Sequence, residues 1–140
     1  MTHPTSLRLD VSTRRRLQDR AEQEQVPAAT VALRLIDEGL RMAAHPGVVF
    51  RAGPAGRRPA LGSGPDVAEV VSVIHHLAET GDEAEAEAAR WLELPQPAVR
   101  SAVNYYVEFT DEIDELIAAN EAAADEAELR WQRANDRLAR

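Results

Sequence analysis

The sequence predicts a mainly α protein, in which one short N-terminal strand, paired across two copies of the chain, precedes a succession of helices. Three observations carry this. Ser6-Leu7-Arg8-Leu9-Asp10 alternates polar and apolar residues with the period of a strand. Most of the remaining chain repeats its apolar positions every three or four residues, the period of a helix. An aromatic fraction of only 4% argues against one large core, so the 140 residues read as small modules. The expected division is a strand and two helices over 1–45, a hairpin with helices over 46–117, and a helical tail over 118–140.

In the strand, Leu7 and Leu9 share one side and Ser6 and Arg8 the other. Asp10 is a good N-cap for a helix over Val11 to Gln25, where Leu17 and Ala21 lie four apart on one face. Pro27 opens a second helix, since its missing N–H costs nothing in a first turn. Val31, Leu35 and Leu40, with Leu33 and Ile36 beside them, give that helix a wide apolar face, and His45-Pro46 stops it. So short a segment buries little apolar surface alone, and a lone strand leaves its backbone groups unpaired. Both problems vanish in a homodimer whose strands pair antiparallel.

These residues resemble the ribbon-helix-helix fold of CopG/VapB-like regulators over residues 4–43. The most specific piece is Leu7-Arg8-Leu9-Asp10 with Leu17 seven residues beyond the Asp. The resemblance implies a two-stranded ribbon seated in the DNA major groove, with Ser6 and Arg8 reading base edges. An Arg paired bidentately with guanine contributes roughly 1–3 kcal/mol of discrimination. It also implies that the backbone N–H groups of Ala28 and Ala29 hold a phosphate. Three positions depart from the pattern: Gln25 replaces the usual turn Gly, Pro27-Ala28-Ala29 replaces a Ser or Thr, and Arg14-Arg15-Arg16 replaces an apolar residue. Arg14 is therefore read either as a phosphate contact or as part of a solvated face.

Further along, Gly47 to Arg51 and Arg58 to Leu61 flank a Gly/Pro turn at 52–57 and read as a hairpin, with Pro59 at an edge. A break at Gly62-Ser63-Gly64-Pro65 leads to a helix over Asp66 to Thr80, with Val67, Val70, Val71 and Ile74 inward and Gly81 closing it. Helices over Asp82 to Leu92 and Ala98 to Phe109 come next, separated by Leu94-Pro95-Gln96-Pro97. Their spacing is that of a helix-turn-helix, but acids crowd both sides, and the pair reads as packing. Asp111 caps a last helix with Ile113, Leu116 and Ile117 inward. Beyond Asn120 its stripe thins to Ala127, Trp131, Ala134 and Leu138, which want a groove on a partner or on a dimer mate.

A second resemblance spans residues 45–117, on His45-Pro46-Gly47, Arg57-Arg58-Pro59, Gly62 to Val71, Leu94 to Tyr106 and Glu112-Ile113-Asp114. It is to a small antitoxin-like domain of unknown function whose genes lie beside PIN-like ribonuclease toxins. Together the two resemblances imply an antitoxin: a dimer that binds operator DNA and represses its own operon, with a C-terminal segment that neutralises the toxin. In VapB antitoxins an Arg of that segment enters the toxin's acidic metal site. Arg130, Arg133 and Arg137 are the candidates here, with Trp131 and Leu138 as apolar anchors. The alternative is a ribbon-helix-helix regulator with no toxin.

Charge and composition bound the rest. The net charge of -8 divides into +4 over residues 1–63, with ten Arg and six acids, and -12 over 64–140, with six Arg and eighteen acids. The basic front suits an anionic partner; the acidic back suits a basic partner or solubility. With no Lys the Gly-rich stretch from 53 to 64 cannot be a P-loop, and with no Cys there is neither disulfide, thiolate zinc site nor cysteine nucleophile. His75 and His76 are adjacent and point about 100° apart on a helix, so they are read as structural or surface residues. The expectation is a cytoplasmic bacterial protein that is not an enzyme, needs no cofactor and makes no use of a membrane.

Overall fold

The computed structural model describes residues 1–139. Six helices and one two-stranded sheet are found among them: α1 (Val11–Glu24), α2 (Ala28–Ala44), β1 (Val48–Gly53), β2 (Gly56–Leu61), α3 (Val67–His75), α4 (Gly81–Leu92), α5 (Gln96–Glu108) and α6 (Thr110–Leu138). The chain is thus mainly helical. It divides into a front unit, Met1–Ala44, and a back unit that begins at His45.

In the front unit Asp10 caps α1 as its sequence position predicts. The Thr13 N–H donates to one carboxylate oxygen at 2.7 Å and the Thr13 hydroxyl to the other at 3.0 Å. Gln25 ends α1 in the left-handed region, φ 56°, where Gly would avoid a cost of about 1 kcal/mol. Pro27 precedes α2, and its carbonyl accepts from Thr30 and Val31. Arg34 of α2 donates twice to Glu24 of α1, at 2.8 and 3.1 Å, tying the helices together. Residues 1–10 take no regular structure in the single chain. The expected strand has no ladder to join without a second strand, so the ribbon-helix-helix arrangement is not present in one copy.

The back unit opens with an antiparallel hairpin in register Val48↔Leu61 through Gly53↔Gly56. Its turn is only Pro54-Ala55, so both strands run two residues further than the composition suggested. Gly56, at φ 108°, supplies the positive φ that the tight turn requires. Pro59 stands opposite Phe50, and in a two-stranded sheet every position is an edge. The third helix is shorter than its apolar pattern implied. α3 stops at His75, and the His76 ring bonds the Ser72 carbonyl at 2.7 Å, satisfying one of the carbonyls a helix end leaves open. Gly81, expected to close that helix, instead begins α4. Asp111 lies within the first turn of α6 and does not cap it; Phe109, the residue before the helix starts at Thr110, joins α5 to α6 directly.

The core of this unit forms around Tyr105 of α5, which is wholly buried. Phe109 lies 4.6 Å from its ring, His45 5.2 Å and Phe50 6.4 Å. Val67, Val70 and Val71 of α3, Val99 of α5 and Ile113 of α6 complete the centre. Ala84, Ala88 and Ala102 are buried where α4 and α5 pack, and such small side chains let helix backbones approach closely. Burial along α6 stops after Ile117, and residues 118–139 are all exposed.

Candidate nucleic-acid and partner surfaces

The front unit carries the residues expected to meet DNA on three short stretches. Ser6 and Arg8 are exposed in the N-terminal segment, Arg14 is exposed in the first turn of α1, and Ala28 and Ala29 form the first turn of α2. Several carboxylates of this unit are already engaged. Asp10 holds the α1 cap, Glu24 holds Arg34, and Asp37 lies 3.1 Å from Arg41. The Thr13 N–H and hydroxyl stabilise the Asp10 carboxylate and hold its pKa below the ordinary value, with Arg16 adding to the effect. Arg8, Arg14, Arg15 and Arg16 are exposed in and just after the N-terminal segment.

The back unit spends most of its basic groups internally. Arg100, at the exposed face of the α4–α5 pair, reaches Glu85 at 2.5 Å and Asp82 at 2.6 Å, and these carboxylates raise its pKa further. Ser101 donates to the Pro97 carbonyl at 3.0 Å. Arg100 thus ties α5 to α4 across the helix-turn-helix spacing, and the two helices pack together. Arg51 binds the carbonyls of Leu61 and Gly64, at 2.5 and 2.8 Å, and pins the loop between β2 and α3. Arg58 pairs with Asp66 at the start of α3. His45, its ring largely buried, lies 2.5 Å from Glu108 and fastens the entry of β1 to the end of α5. The Tyr106 hydroxyl donates to Asp114 at 2.8 Å, which raises its pKa.

His75 and His76 are both accessible at the surface, with the His75 ring against Tyr106 at 5.7 Å. Among the described residues no three metal-ligating side chains cluster. No helix among them is long and apolar enough to cross a membrane.

Along the tail of α6, the structure brings Arg130, Arg133 and Arg137 to one side with Ala134 and Leu138. Trp131 is 66% exposed and Leu138 84%. Arg140, the last residue of the expected tail, lies outside the described residues. A second feature escaped the sequence. A groove of about 540 Å³ runs between α3 and α6, lined by Val73, Leu77, Trp91, Ile117, Asn120 and Glu121 among others. It joins residues from three helices, and only the bare Trp91 at the end of α4 hinted at it. Compared with protein-family models, characterised proteins and solved structures, the chain matches none of them.

Proposed function

We propose that the chain is a dimeric ribbon-helix-helix antitoxin that binds its own operator and neutralises a PIN-like ribonuclease with its C-terminal tail. One observation carries the DNA-binding half. In a single copy Leu7, Leu9, Leu33, Leu35, Ile36 and Leu40 of the front unit are all exposed, while its buried apolar residues are Ala21 and Val31. So much bare apolar surface on so small a unit calls for association, and pairing Leu7 and Leu9 inward turns Ser6 and Arg8 outward. The exposed arginines beside that segment then face the phosphates. For the tail, the guanidinium stripe suits a carboxylate-lined nuclease site, where an Arg inserted among the acids competes with the metal ion.

The test uses DNA from upstream of the protein's own gene and the product of the adjacent gene. Wild-type protein binds that DNA with an affinity that falls steeply with salt, and Arg8→Ala loses about tenfold or more of the specific affinity. Removing residues 121–140 abolishes neutralisation of the toxin and leaves DNA binding intact. Unchanged binding by Arg8→Ala overturns the strand-reading model. Intact DNA binding with no toxin to neutralise leaves a regulator without a toxin.

A further inference from the structure

The stripe along α6 is longer than the tail. Ile117, Asn120, Ala124, Ala127, Trp131, Ala134 and Leu138 succeed one another by three and four residues in alternation, the spacing of a seam that packs on another helix over its whole length. Its two halves differ in surroundings. Ile117, Asn120 and Ala124 form one wall of the groove against α3, with Val73, Leu77 and Trp91 opposite. Ala127 through Leu138 protrude with no cover from residues of the same unit. Because α6 is continuous from Thr110 to Leu138, the tail cannot fold back into the groove of its own chain.

We propose that the groove of each copy takes the α6 tail of a second copy, the two α6 helices running antiparallel about the Ala124–Ala127 segment. A two-fold contact has to be self-complementary, and a stripe that is half groove and half ridge meets that condition. Small residues at the crossing, Ala123, Ala124 and Ala127, permit close approach. With Ala124 of one copy level with Ala127 of the other, Trp131 falls level with Asn120 and Ala134 with Ile117, so at both positions a larger side chain meets a smaller one; Leu138 reaches the far end, level with the buried Ile113. Charge points the same way. The groove walls carry Glu69 and Glu121, while the tail from Ala127 carries Arg130, Arg133 and Arg137 against Glu128 and Asp136. This pairing needs neither DNA nor a toxin, but it covers the same tail arginines that the proposed function gives to a toxin, so pairing and toxin binding exclude one another on that tail.

The chain has no cysteine, which makes cross-linking a clean test in the full-length protein. In the double variant Asn120→Cys/Trp131→Cys the two thiols of one helix are eleven residues, about 16 Å, apart. That is beyond the roughly 7 Å limit for a disulfide, so a bond forms only between copies. Oxidation is expected to give covalent dimers of the double variant, while either single variant stays uncross-linked. No cross-link in the double variant, or equal cross-linking in a single one, overturns the antiparallel pairing. Because Trp131→Cys removes an anchor, a second reading keeps that side chain. Trp91→Phe leaves Trp131 as the sole indole; its emission is expected to be blue-shifted and to move to that of a solvated indole on Leu138→Glu. A solvated emission at every concentration, shifting only when another protein is added, assigns the groove and tail to that protein and overturns the proposal.

Discussion

The two units solve the same problem in opposite ways. The back unit buries Tyr105, Val67, Val70, Val71, Val99 and Ile113 within one chain, and it does so with helices and a hairpin packed around a single aromatic centre. The front unit buries little beyond Ala21 and Val31 and leaves its leucines bare. Apolar content does not separate them; the number of elements available to cover it does. Two helices joined by a bidentate Arg34–Glu24 pair have one shared face, and every other apolar position needs another molecule.

The largest expected effect breaks the self-sufficient side of this comparison. Tyr105→Ala empties the centre of the back unit and is expected to cost about 3–5 kcal/mol, the range for removing a buried aromatic ring. In native-state hydrogen exchange the amides of α3 and α5 lose protection while those of α1 and α2 keep theirs. Equal loss in both units would show that they unfold as one. The opposite variant is Leu9→Glu, at a residue that is 44% exposed in the single chain. A role confined to one copy predicts a change within about 0.5 kcal/mol, as for an ordinary surface substitution. Pairing of the N-terminal segments predicts instead that α1 and α2 exchange quickly while the Tyr105 core stays protected. Unchanged protection of the front helices would remove the pairing.

Much of this organisation is legible in the sequence, and the places where it is not have physical causes. Local chemistry read well: Asp10 caps α1, and the hairpin sits where Gly and Pro cluster. The apolar run from Val67 to Ile74 gave the buried face of α3 but not its end, because the His76 ring binds the Ser72 carbonyl and no Gly or Pro marks the stop. The end of α1, by contrast, is readable although a residue other than Gly takes the left-handed position: the sequence predicts a helix over Val11 to Gln25, and it stops at Glu24 with Gln25 as its cap. Arg130, Arg133 and Arg137 are singled out only by their position in the tail, as the antitoxin resemblance implies, and the structure has them on one side of α6. The groove between α3 and α6 was not readable, because its walls meet only after three helices have packed.

The smallest expected effect sharpens the front unit further, at the junction between the N-terminal segment and α1. Thr13 donates both its N–H and its hydroxyl to the Asp10 carboxylate, so the charged form is favoured when α1 is formed and its pKa lies below the ordinary value of 3.8. A carboxylate whose pKa is lowered by folding contributes stability that is present above the unfolded value. That stability is lost as the pH falls through the folded value. Acidification below about 3.8 is therefore expected to loosen the first turn of α1, seen as faster exchange of the amides that open the helix. Asp10→Asn keeps an N-capping side chain but has nothing to protonate, so its first turn responds less to the same change in pH. An identical acid response in wild type and Asp10→Asn would place the sensitivity elsewhere.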